Sequence, residues 1–67
     1  MTTHHRNRAQ ADVLEALGRA GTWMTRDDLQ SAVQWSAARV DDELGDLVMA
    51  AQVEFNERAR SYRLAGP

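Results

Sequence analysis

The chain of 67 residues contains no cysteine. A disulfide and a thiolate zinc site are therefore both excluded, and a cysteine-free chain fits the cytoplasm. Long apolar runs are missing too. No stretch approaches the length of a membrane span and no signal-peptide core follows Met1, so no membrane partner is expected. The patterns that carry catalysis are also lacking. No nucleophile stands with a base, no glycine-rich loop can cradle a phosphate, and no ligand cluster has metal spacing. His4 and His5 are adjacent but have no further ligands nearby, which suits a solvated tail better than a metal site. No catalytic residue, cofactor or metal is expected, and the chain does not read as an enzyme.

Positive charge is scarce as well. The formal net charge is -2, which counts against a simple nucleic-acid binder, because such domains tend to be basic. Lysine is absent and all eight basic residues are arginine. With alanine abundant, this fits a GC-rich coding sequence more simply than selection for bidentate contacts. The distribution says more than the sum. Arg6 and Arg8 make one end basic, and Arg58, Arg60 and Arg63 outweigh Glu54 and Glu57 at the other. Between them, Asp41, Asp42, Glu43 and Asp46 stand against Arg39 alone.

What remains is enough for one small domain. A chain of this size buries roughly 60% of its unfolded surface and is marginal alone. Without disulfides or metal, helix packing or oligomerisation must supply its stability.

Residues 1–5 have no periodicity and read as a disordered tail; residues 6–65 read as the domain, and residues 66–67 as its end. A helix is expected over 6–20. Ala9, Val13, Ala16, Leu17 and Ala20 share one face with Leu14 at its edge, while Arg8–Asp12 and Glu15–Arg19 form i,i+4 pairs on the solvated side. Gly21 suits the left-handed residue that closes the last turn, and Gly18 weakens the helix slightly. Thr22, Trp23 and Met24 predict a short strand or connector, with Trp23 in the core. Thr25 is a good N-cap, and Asp28 three residues later resembles a capping box, where Glu or Gln is the preferred residue; Asp27 and Asp28 also suit the positive end of the helix dipole. Capping explains this carboxylate pair without any acid–base chemistry. Leu29, Ala32 and Val33 form the apolar face of the second helix.

A tight break at Gln34 and Trp35 precedes Ser36, the expected N-cap of a third helix over 36–51. Val40, Leu44, Leu47, Val48 and Ala51 recur at helical spacing and predict its buried stripe. The stripe most nearly opposite holds Ala38, Asp42, Gly45 and Met49, flanked by Arg39 and Asp46. The four acids of this helix do not make a cation site, since only Asp42 and Asp46 share a face. From Val53 the period changes to two. Val53 and Phe55 alternate with Glu54 and Asn56, and Tyr62 and Leu64 with Ser61 and Arg63. This predicts a β-hairpin with its tip at 57–60 and with Val53, Phe55, Tyr62 and Leu64 packed inward.

The expected fold is α+β and mainly α: helix, short strand, two helices around a short turn, and a two-stranded hairpin. With the runs LEALGRAG, MTRDDLQSAV, WSAARVDDELGDLV and VEFNERARSYRLAG, this order resembles the winged helix-turn-helix family of small bacterial transcriptional regulators over about residues 6–65. The resemblance implies a DNA-binding regulator whose third helix enters the major groove and whose wing touches backbone or minor groove. By position, Ser36, Ala37, Ala38, Arg39 and Asp42 fall where base and phosphate contacts are made, Arg58 and Arg60 on the wing, and Arg6 and Arg8 at the N-terminal arm. The chain departs from the family at Trp35, where a small aliphatic is usual, at Ala51 and Gln52, where glycine and an aliphatic are usual, and in the acids of its third helix.

Two readings of that helix stay open. In the first, double-stranded DNA is the partner. Arg39 reads guanine or clamps a phosphate, Ser36 and the helix N-terminus bind phosphate, an alanine meets a thymine methyl, and Asp42 accepts from cytosine. Arg39 also has a local alternative, pairing with Asp42 or Glu43. In the second, Ala38, Asp42, Gly45 and Met49 form an interface to a second copy or to a basic protein, with the small residues allowing close approach and Met49 adapting to the contact. Trp35 either packs under the turn or anchors an interface.

Overall fold

The alternation of period along the chain becomes three helices and a small sheet. A computed structural model describes the backbone of residues 4–66 and the side chains of residues 8–66. The elements are α1 (His4–Ala20), β1 (Met24–Thr25), α2 (Arg26–Ala32), α3 (Ala37–Met49), β2 (Val53–Asn56) and β3 (Ser61–Leu64). Helix α1 therefore takes in His4 and His5, which the sequence assigns to a tail; the rest of that tail lies outside the described residues. The fold is α+β and mainly helical, as expected.

Local chemistry sets most element ends. Gly21, at φ 64, closes α1, with its N–H donating to the Leu17 carbonyl at 3.1 Å. The capping box at α2 is present in both halves: the Asp28 N–H donates to Thr25 Oγ1 at 3.1 Å, and the Thr25 N–H to Asp28 Oδ2 at 3.3 Å. Ser36 caps α3 by accepting from the Arg39 N–H at 3.2 Å. At the other end of α3, the Gln52 N–H reaches the Leu47 carbonyl and the Ala51 N–H that of Val48. This paired closure needs a left-handed residue, and Ala51 supplies it at φ 63. The departure from glycine noted in the sequence thus falls at a strained position.

The sheet is antiparallel in the order β1-β3-β2, with Met24 opposite Tyr62 and Phe55 opposite Tyr62 on the other side. The core lies between the helices and this sheet. It is built from Val13 and Leu17 of α1, Leu29 of α2, Val40, Leu44 and Leu47 of α3, and Val53 of β2. Each fully buried leucine contributes about 1.5–3 kcal/mol relative to exposure. Met24, Trp35, Val48 and Tyr62 pack around it.

Several expected core residues lie outside. Ala20, Ala32 and Ala51 are exposed, because α1 and α2 end at the first two and α3 ends two residues before the third. Trp23 is half-buried, its ring stacked under the Arg63 guanidinium at 4.6 Å. Phe55 and Leu64 keep 44% and 38% of their surface, so the hairpin face packs inward at Val53 and Tyr62 but overhangs elsewhere.

Candidate interface on the third helix and the wing

The short turn between α2 and α3 is fixed by side chains that reach across the fold. Trp35 donates its indole N–H to Asp12 of α1 at 2.8 Å, and its ring lies 5.2 Å from the Arg39 guanidinium. Trp35 thus packs under the turn. Asp12, expected to pair with Arg8 on a solvated face, is turned toward this ring instead. Arg39 donates to Glu43 at 2.9 Å, one helical turn along α3. Glu43 is only 7% exposed and also accepts from Gln10 of α1 at 3.3 Å. Of the two local partners weighed for Arg39, the contact is with Glu43.

This network buries Glu43 and leaves Arg39 with 35% of its side chain in solvent. Glu43 faces α1, and Arg39 is drawn against Trp35 and Glu43. The face most nearly opposite the core stripe is as the spacing predicts: Ala38, Asp42, Gly45 and Met49 are all exposed, with Met49 at 88%. A Cβ built on Gly45 would meet nothing within 4 Å. Asp41 and Asp46 are exposed beside them. The first turn of α3 contains no acid; Ser36 is exposed and Ala37 half-buried.

The arginines divide by use. Arg19 pairs with Glu15 at 3.5 Å and Arg63 with Glu54 at 3.0 Å. Arg26 lies between Asp27, at 3.4 Å, and Asp41 of α3, at 3.5 Å. Arg58 and Arg60 are exposed on the wing turn, and Arg8 is exposed on α1. The Arg6 side chain lies outside the described residues. Arg60 sits at φ 51, and the wing turn is braced by the Ala59 N–H, which donates to Asn56 Oδ1 at 3.1 Å.

Between α3 and the wing runs a groove that the alternation pattern did not reveal. Leu44, Gly45 and Val48 form one wall, Phe55 and Tyr62 the other, and Asp41 lies at its edge. It continues past Asp41 toward Arg26, Asp27 and Arg60. The Phe55 and Tyr62 rings pack at 4.8 Å with 36° between their planes. Burial pushes the Tyr62 phenol above its ordinary value, the Asp41 carboxylate raises it further, and Arg26 opposes. The sequence signal was the cross-strand pair itself, but alternation cannot say how far a four-residue strand overhangs its helix.

Among the described residues, no group of three or more His, Asp or Glu side chains could hold a metal ion, and no helix is long and apolar enough to cross a membrane. No family model matches the chain, and neither a curated protein nor a solved structure matches it.

Proposed function

We propose that this protein binds duplex DNA as a small cytoplasmic transcriptional regulator, with the first turn of α3 toward the major groove and the wing turn, residues 57–60, on backbone or minor groove. One observation carries the reading: the first turn of α3 holds no acid and begins at exposed Ser36, and the wing turn holds Arg58 and Arg60 in solvent. The link between them is Arg60, which borders the same groove as Asp41 of α3. The helix start offers small side chains and the positive end of the dipole. The arginines offer phosphate contacts that need no sequence match. The carboxylates of α3 lie from Asp41 onward, so the helix docks by its first turns, with Asp42 accepting from a cytosine where the sequence allows.

The exposed arginines outside the ion pairs above set the scale. If Arg8, Arg58 and Arg60 each neutralise one phosphate, the logarithm of the binding constant falls with the logarithm of salt with a slope of about -2.7. A fluorescence anisotropy titration against random and genomic duplexes at several salt concentrations tests this. Arg58→Ala/Arg60→Ala should weaken binding and reduce the slope by about 2. No binding to any duplex at low salt would sink the reading.

A second reading is favoured by Met49, which is 88% exposed on the face with Ala38, Asp42 and Gly45. An apolar side chain this exposed among acids suits a protein partner better than a phosphate backbone.

A further inference from the structure

Among the described residues, Glu43 is the one buried charged side chain, with 7% of its surface in solvent. It lies on the core side of α3, and a leucine would serve packing there without the cost of desolvating a carboxylate. The carboxylate is held instead by two side-chain donors from different elements. Gln10 Nε2 of α1 donates to Oε1 at 3.3 Å, and Arg39 Nε, one turn back along α3, donates to Oε2 at 2.9 Å. The Trp35 ring lies 5.2 Å from the same guanidinium, and Trp35 is itself fastened to Asp12 of α1.

Arg39 is thereby fixed in direction and balanced in charge. A long side chain held by an acid and a ring has lost rotamer freedom before it meets a partner. That favours a directional contact and adds nothing to a diffuse attraction. Its countercharge sits inside the domain, so the pair releases few counterions when a phosphate approaches. Yet 35% of the Arg39 side chain stays in solvent, in the first turn of α3 beside exposed Ser36 and Ala38.

Resting on the DNA-binding reading above, we propose that Glu43 is a positioning residue for sequence discrimination: it holds Arg39 for one base-edge contact and takes its charge out of phosphate binding. Arg58 and Arg60 supply the attraction that any duplex receives, and the Arg39–Glu43 pair decides which duplex is kept. A planar guanidinium held through Nε suits the paired acceptors of a guanine edge.

The test selects a random duplex library on the full chain, then titrates an enriched duplex and its scrambled counterpart by fluorescence anisotropy. In Glu43→Gln, the ratio of the two affinities should fall about tenfold, the scale of one bidentate base contact. The scrambled duplex should bind at least as tightly as before, with no loss of salt slope, because an anion has left the domain. Arg39→Ala should lose the same ratio, and the double variant no more than either alone. A Glu43 that merely supported the fold would weaken both duplexes together and add to the loss in Arg39→Ala. Gln10→Ala removes a donor to Glu43 from outside α3 and should lose part of the same ratio, which keeps the test open if Glu43→Gln does not fold. An unchanged ratio in these variants, an equal fall on both duplexes, or additive losses overturns the proposal. Duplex binding with no sequence enriched overturns the positioning role alone and leaves the wing arginines holding any duplex. Binding to no duplex removes the DNA reading together with it.

Discussion

The Trp35 indole N–H donates to the Asp12 carboxylate across 2.8 Å, and this one bond ties the turn before α3 to the middle of α1. The residues are 23 apart in sequence, so neither position announces the other. The bond explains how the turn seats a tryptophan. The ring packs against the core, and its polar edge finds a charged acceptor rather than being buried unpaired.

Removing that acceptor should therefore cost more than an ordinary surface substitution. Asp12→Ala is expected to destabilise the domain by about 1–2 kcal/mol, toward the lower end because the site is only partly buried. Asp12→Asn retains an acceptor and should cost less. Urea denaturation of both variants checks the order. Equal stability of Asp12→Ala and the parent protein would show that the bond contributes nothing net.

The end of α3 leads to a substitution of opposite sign. Ala51 occupies φ 63, where a Cβ is crowded, and it does so to let two backbone N–H groups close on the Leu47 and Val48 carbonyls. Glycine reaches this conformation without the penalty. Ala51→Gly should stabilise the domain by about 1 kcal/mol, the scale of the left-handed cost for an L-residue. Thermal or urea unfolding should show the gain. Ala50→Gly, one residue earlier and outside the left-handed region, should show none.

What was legible in the sequence was local. Thr25 with Asp28, Ser36, Gly21 and the stripe Val40-Leu44-Leu47 each depend on residues within a turn or two, and each appears where the spacing places it. What escaped was set by packing between distant elements. Glu43 reads as one more acid of α3, yet it is buried against α1 and holds Arg39 and Gln10. Its position three residues after Val40 and four before Leu47 was the available clue. Trp23 was expected in the core because it is large and apolar. Instead it carries Arg63 on its face, a partner supplied by a strand forty residues away. For the interface, spacing identified the exposed face of α3, but the groove beside it depends on how β2 and β3 lean on that helix.

The absences in the composition make one titration readable. The chain has no cysteine, no lysine and a single tyrosine, so Tyr62 is the one side chain whose ordinary range falls between about pH 9 and 12. In the fold its phenol is raised above the ordinary 10.0, first by burial, then by Asp41, with Arg26 opposing. The folded state thus holds the phenolic proton more tightly than the unfolded chain does. Its contribution to stability is complete below pH 10.0 and is lost as pH rises through the higher folded-state value. Urea midpoints should accordingly be flat approaching pH 10 and fall above it. Absorbance of the phenolate should rise later in the native protein than in urea. Tyr62→Phe should lose this alkaline slope while keeping the ring against Phe55. A variant that still shows the same slope would place its cause outside the groove.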